Sequence, residues 1–328
     1  MPAADAPCPE QAFNATALKW HTCAWLLLPV LVFLAGWMHW YAALPLMFLT
    51  AAGLAPRKRK EPQTRDSLPA FPLFTRSSFL ALAAFAALMT LSGWGEWVNQ
   101  HPDHIVRNAC LRELVASPWP VIFPDGNMLV YNTGLWLIPA LAGKLAGLDA
   151  ARVLVVLWGA WGLFLAWLWL CVFSGRRSLL LALLMAAFGS LLNFQCWLGL
   201  DLFRLHYFGT AEQIMCSANA SIPVLLFFIF LASGRMPLPW IPLLFAATAF
   251  YSPLAALGGL PLAACQWYRQ WRGVPPLRDV LLHPSFSASV LLGVCFLLYY
   301  GTVNAPSSHM GMRPFYTHPG DFPLMATS

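Results

Sequence analysis

The amino-acid sequence predicts an all-α polytopic integral membrane protein with about eight or nine transmembrane helices, since one helical crossing takes roughly 20 residues. Hydrophobic residues make up 59% of the 328 residues, charged residues only 10%, and the mean hydropathy is +0.63. A soluble domain carries about 25% charged residues. The apolar stretches are also continuous and do not alternate with polar residues, which favours helices over the strands of a membrane barrel.

Nine apolar runs provide the predicted spans. The first two are expected to form a tight helical hairpin, because only His39 and Trp40 separate them. The first run follows some polar residues and precedes no small-residue cleavage site, so it is predicted to be an uncleaved span. In chain order the runs cover residues 23–38, 41–54, 77–94, 153–173, 179–192, 222–232, 238–250, 253–265 and 286–300.

The runs divide a single membrane domain into three parts. Residues 1–76 hold the hairpin and a basic cytoplasmic linker, 77–233 form a module with outward loops at 95–151 and 193–219, and 234–328 hold the last spans and an outward tail. Basic loops are retained in the cytoplasm. Most arginines and lysines fall on one side if the stretch 129–147 does not cross the membrane. We therefore expect that stretch to be a helix at the outer interface, anchored by Tyr131, Trp136 and Lys144.

The segment 96–144 gathers charge, imidazole and aromatic residues between apolar runs. It contains Asp103-His104-x-x-Arg107-Asn108, then Pro118-Trp119-Pro120, and later Gly143-Lys144-Leu145-x-Gly147. This pattern, over roughly residues 96–177, resembles bacterial multi-span proteins related to the GT-C-type glycosyltransferases. The resemblance implies transfer of a sugar from a polyprenyl-phosphate donor to a glycan or lipid acceptor, at the outer face of the cytoplasmic (inner) membrane. Where that superfamily has a pair of acidic residues before the juxtamembrane helix, this chain has Asp103 alone.

Displacing a lipid phosphate from a sugar requires a base for the acceptor's proton and positive charge for the departing phosphate. Asp103 is the candidate base, and helix capping is an equally good reading of this residue. Arg107 is the candidate phosphate contact, because a guanidinium binds oxyanions through two hydrogen bonds and stays charged. On a helix, Asp103 and Arg107 are four residues apart and are expected to share one face.

Further site residues are predicted in both loops. Asp201 stands where relatives carry a second acidic residue and is a second catalytic candidate. Arg204 and His206 either contact the substrate or bind lipid headgroups, and Trp119 either stacks on a sugar or anchors the loop at the interface. The predicted substrate contacts are Arg107, His104, Asn108, Arg204, His206, Trp119 and Lys144. No cofactor is predicted, since His101 and His104 beside one carboxylate are too few ligands to indicate a metal.

Two other classes of function stay open on the sequence alone. A transporter or lipid-linked-glycan flippase predicts ionisable residues at mid-depth in the spans, whereas the charges of this chain gather in loops. A non-catalytic protein of envelope assembly predicts that Asp103 and Arg107 can be replaced without loss of function. The expected partners are the lipid bilayer, the lipid-linked donor and the acceptor, and nothing suggests nucleic-acid binding.

Overall fold

A computed structural model describes residues 15–55, 75–98, 100, 102–124, 127–188, 209–271 and 276–301. Within these ranges the regular structure is helical, apart from one isolated bridge between Ile122 and Met128. The α-helices are α1 (Ala15–Trp37), α2 (Trp40–Gly53), α3 (Arg76–Leu91), α4 (Pro102–Ala116), α5 (Leu137–Ala146), α6 (Leu148–Ser174), α7 (Leu179–Ala187), α8 (Thr210–Ala232), α9 (Trp240–Tyr251), α10 (Pro253–Trp271), α11 (Leu277–Leu281) and α12 (Pro284–Gly301).

Four helices in the described part of the chain are long and apolar enough to cross a membrane. They are Thr16–Trp37 of α1, and α6, α8 and α12 over their full lengths. The helices α2, α3, α5 and α9 are apolar but shorter. The all-α class and a membrane location are therefore confirmed, whereas the count of eight or nine spans stays a prediction.

Helix α6 lies at the centre of the bundle and packs against α1, α3, α4, α5 and α8. Its residues from Gly162 to Trp169 are all buried, which is typical of a helix surrounded by protein. Gly162 permits this close packing, because a Cβ atom there would lie 2.6 Å from Trp25 Cζ2 and 2.7 Å from Ile222 Cγ2. Any larger residue at position 162 would therefore separate α6 from α1 and α8.

An aromatic stack joins α1, α6 and α9. The Trp25 ring lies between Trp158 and Tyr251, with centroid distances of 5.6 and 5.5 Å and nearly parallel planes. Trp25 Nε1 donates to the Trp158 carbonyl at 2.9 Å, and the Tyr251 hydroxyl donates to the Trp25 carbonyl at 2.8 Å. These bonds satisfy the polar atoms of the two fully buried rings, Trp25 and Tyr251.

The stretch between residues 129 and 147 differs from its prediction. It holds a short 3-10 turn at Thr133–Leu135 followed by the ten-residue helix α5, instead of one continuous interfacial helix. At about 1.5 Å per residue α5 is too short to cross a bilayer, as expected. The role given to Trp136 is wrong, because this residue is 1% exposed and packs in the core.

The last helix fixes this loop to the bundle. The Tyr299 hydroxyl of α12 shares its one hydrogen between the Leu129 and Tyr131 carbonyls, at 3.3 and 3.1 Å, and accepts from the Tyr131 backbone N–H at 3.2 Å. Tyr300 donates to the Phe250 carbonyl of α9 at 2.7 Å. The loop segment around Tyr131 is thus held at a fixed place beside α4.

Candidate active site

Helix α4 brings Asp103 and Arg107 together, as their spacing predicts. Arg107 Nη2 lies 3.4 Å from Asp103 Oδ2 in an i,i+4 ion pair. The Asp103 side chain is 51% exposed, while the Arg107 side chain is only 7% exposed. Because α4 begins at Pro102, Asp103 lies within its first turn, where a carboxylate is favoured by the helix dipole.

The Arg107 guanidinium is buried without a full set of partners. Its Nε and Nη1 groups make no hydrogen bond of ordinary geometry within the described residues, although the guanidinium lies close enough to the Tyr131 hydroxyl to interact with it. The Arg107 Cζ atom lies 5.7 Å from the centroid of the Trp94 ring, a cation–π distance. A buried N–H without a partner costs about 1–3 kcal/mol, and more on a charged group, so this site favours an anionic ligand.

Aromatic side chains surround the guanidinium. Trp94 is 2% exposed and lies 6.0 Å from the Trp136 ring, which in turn lies 5.6 Å from Tyr131. His104, on the same helix as Arg107, is fully buried and meets the edge of Trp94 at 5.4 Å. These rings exclude water from one side of Arg107, which strengthens its attraction for a negative charge.

The first turn of α8 lies against the same aromatic wall. Trp94 Nε1 donates to the Ile214 carbonyl at 2.9 Å. Glu212 closes this end of α8, because its Oε2 accepts from the Gly209 backbone N–H at 2.8 Å. Cys216 lies one turn further along α8 and within electrostatic range of Asp103 and Arg107. The loop after α3, helix α4 and the start of α8 therefore meet beside Trp94.

Tyr131 is the phenol next to Arg107. Burial raises the pKa of Tyr131, and the charge and hydrogen bonding of Arg107 partly oppose that rise. The phenol is therefore protonated at neutral pH and lies beside the guanidinium. Its place in the site was not predicted, since the sequence presents Tyr131 only as one aromatic residue of an interfacial stretch.

Three other predicted contacts have structural partners. Lys144 Nζ donates to the Ser117 carbonyl and, at 3.4 Å, to the Val115 carbonyl, and it lies 5.1 Å from the Trp119 ring. Trp119 Nε1 donates to the Leu114 carbonyl at 2.8 Å. These bonds satisfy carbonyls at the carboxyl end of α4, a stabilising role in its own right. Asn108 Nδ2 donates to Gln100 Oε1 at 2.8 Å near the surface.

A second charged cluster was missed by the sequence reasoning. Glu96 is only 8% exposed and accepts from Arg112 Nη2 at 2.6 Å and from Arg152 Nη2. Arg152 also pairs with Asp149 at 2.8 Å. Glu96 has a positive φ of 68° in a turn after α3, and its partners lie on α4 and α6. This cluster holds the start of the loop against both helices.

Asp201, Arg204 and His206 lie outside the described residues, as does His101, so the predictions for the second loop stand as predictions. In the described part of the chain, no group of three His, Cys, Asp or Glu side chains is arranged to hold a metal ion. The candidate site consists of Asp103, His104, Arg107, Trp94 and Tyr131. Comparison with protein-family models, with curated proteins and with solved structures finds no match to this chain.

Proposed function

We propose that this chain transfers a sugar from a polyprenyl-phosphate donor to an acceptor at the outer face of the cytoplasmic membrane. The observation that supports this most is the buried Arg107 guanidinium, with Nε and Nη1 lacking partners among the described residues. An arginine fork of this kind binds a phosphate through two hydrogen bonds. The resemblance of residues 96–177 to GT-C-type proteins points to the same donor.

Asp103 and Arg107 are assigned complementary roles in the reaction. The Asp103 carboxylate takes the proton of the acceptor hydroxyl, and the acceptor oxygen forms a bond to the anomeric carbon. The bond from that carbon to the phosphate oxygen breaks, and the lipid phosphate leaves with the electron pair. Arg107, with the Tyr131 hydroxyl beside it, stabilises the negative charge on the departing phosphate. The exposure of Asp103, at 51%, gives an acceptor access to the base.

The distribution of charge favours surface chemistry over transport. In the four apolar helices of the described residues, the Asp, Glu, Lys, Arg and His residues lie in the first two turns: Lys19, His21, Asp149, Arg152 and Glu212. Transport pathways and proton relays place ionisable residues at mid-depth. The proposed site, by contrast, lies at the end of α8 and on the loop helix α4.

The test is a glycan profile of the source cell's envelope after deletion of the gene and complementation by variants. We expect deletion to remove a sugar, and Asp103→Asn at normal abundance to leave it missing. Glu113→Gln is the matched control, because Glu113 lies on another face of α4, where its carboxylate accepts a hydrogen bond from the Ser117 hydroxyl at 3.1 Å. If Asp103→Asn restores the sugar fully, Asp103 is not the catalytic base.

A further inference from the structure

The geometry points to a groove between α8 and α10 as the binding site for the hydrocarbon chain of a lipid phosphate whose headgroup contacts Arg107. This inference rests on the proposed function, since it takes the donor to be a lipid phosphate. It adds the path of the chain, which neither the sequence pattern nor the geometry around Arg107 defines.

The groove follows one stripe of α8. It has a volume of ≈ 370 Å³, and its lining includes Gln213, Ser217, Val224 and Phe228 of α8 and Ala255 of α10. These four α8 positions are spaced by four, seven and four residues, so they lie along one side of the helix. Since α8 is one of the apolar helices of span length, we expect the groove to open toward the hydrocarbon of the bilayer.

The two ends of the groove differ in polarity. Gln213 and Ser217 line the end near the first turns of α8, and Val224, Leu225 and Phe228 line the other end. The polar end neighbours Ile214, whose carbonyl is bound by Trp94, and Cys216, which is within electrostatic range of Arg107. A molecule with a charged head and an apolar chain therefore fits with its head toward Arg107 and its chain along the stripe.

The helix bends where these two ends meet. Ser217 has non-helical backbone angles, with φ −158° and ψ 47°, inside α8. The bend is supported by Ser221 Oγ, which donates to the Ser217 carbonyl at 3.0 Å. The bend lies between the first turns of α8 and the apolar end of the stripe.

A glycine shapes the apolar end. A Cβ atom at Gly259 would lie 2.1 Å from Phe228 Cζ, so the Phe228 ring lies directly against the α10 backbone. A methyl group at position 259 would force the ring to move, and the ring lines the groove. Gly259→Ala is therefore expected to narrow the chain site without touching the headgroup site.

The affinity of such a site comes mainly from the headgroup. A chain that leaves the bilayer for the groove exchanges one apolar environment for another, so its burial adds little. We therefore expect Arg107→Gln to weaken binding by about tenfold or more, the effect of losing a charge-assisted pair of hydrogen bonds. A substitution that fills the groove should displace the hydrocarbon chain of the lipid. It should lower the affinity less than Arg107→Gln does.

The experiment uses the full chain in phosphatidylcholine nanodiscs and a long-chain polyprenyl phosphate that carries a photoreactive group on its chain. We expect peptides of α8 and α10 to be labelled, and unlabelled polyprenyl phosphate, but not the corresponding alcohol, to compete. Ala220 also lines the groove, so Ala220→Phe should fill it and move the label away from these peptides. Ala84→Phe, at an exposed position on α3, is the matched control and should label like the wild type.

Each other outcome overturns a distinct claim. Equal competition by the alcohol would show that the groove holds ordinary bilayer lipid, and unchanged labelling of Ala220→Phe would show that the chain lies elsewhere. Either result would contradict the groove as a binding site for the lipid phosphate and would leave the sugar-transfer proposal unaffected. The protein could instead transfer no sugar and still show labelling of α8 and α10 that depends on Arg107. That result would support the groove and contradict the proposed function.

Discussion

Trp94 Nε1 donates a 2.9 Å hydrogen bond to the Ile214 carbonyl, while the face of the same ring lies 5.7 Å from the Arg107 Cζ atom. One side chain therefore fixes the distance between the loop after α3, the loop helix α4 and the first turn of α8. The candidate site depends on this contact, because α4 carries Asp103 and Arg107.

Replacing Trp94 by Phe should loosen this junction. The variant keeps an aromatic ring but loses the bond to Ile214, so we expect the free energy of unfolding to fall by about 1–2 kcal/mol. Thermal unfolding in detergent measures the change. Trp40→Phe is the control, since Trp40 is 72% exposed and should change stability by less than about 0.5 kcal/mol. If the two substitutions lower the free energy of unfolding equally, Trp94 does not hold the three segments together.

Replacing Arg107 by Met should abolish binding of the lipid phosphate without lowering the stability of the protein. Methionine removes a buried charge with two N–H groups unpartnered among the described residues, so stability should be unchanged or raised by up to about 2 kcal/mol. Binding of polyprenyl phosphate should be lost. The exposed Arg278→Met serves as the control in both assays and should alter neither. A large loss of stability in Arg107→Met would mean that Arg107 is a structural residue.

The Glu96 cluster should stabilise the loop through the buried carboxylate. Glu96→Gln leaves Arg112 and Arg152 without their shared partner, and we expect a loss of about 1–3 kcal/mol, reduced from a fully buried pair because both arginines are partly exposed. The exposed partner provides the comparison. Asp149 is 91% exposed, so Asp149→Asn should cost less than about 0.5 kcal/mol. Similar losses in both variants would refute the special role of Glu96.

Tyr131 should make stability sensitive to alkaline pH. Burial raises the pKa of this phenol in the folded protein, so the folded state holds the proton more tightly than the unfolded state. The contribution is constant below the ordinary pKa of about 10 and is lost as the pH rises above it. Tyr131→Phe should therefore reduce the loss of stability seen in detergent above that pH. An identical alkaline profile for both proteins would show that Tyr131 is not the group responsible.

The helical fold and the Asp103–Arg107 pair were predictable from local spacing. Apolar runs predict helices, and residues four apart on α4 share a face because of the helical repeat. Glu113 was correctly expected on another face for the same reason. These inferences depend only on the spacing of residues within a single helix.

The contacts between distant segments were not predictable. Trp94 and Ile214 are 120 residues apart, and Glu96 and Arg152 are 56 apart, so no local pattern links them. Trp136 was misplaced at the interface because the local sequence around an aromatic residue is the same whether its ring faces lipid or packs against Trp94 and Tyr131. Four helices of the described residues are long and apolar enough to cross a membrane, against nine apolar runs in the sequence, so the number of spans stays a prediction.

The most direct test of the account is sugar transfer by the purified protein in liposomes that contain lipid-linked sugars extracted from the source cells. We expect the wild type to release the lipid phosphate and to transfer sugar to an acceptor fraction from the same envelope. Asp103→Asn should lose at least about a hundredfold in rate, the contribution of a positioned base, while Glu113→Gln keeps the wild-type rate. Transfer by Asp103→Asn at the wild-type rate would contradict the central claim.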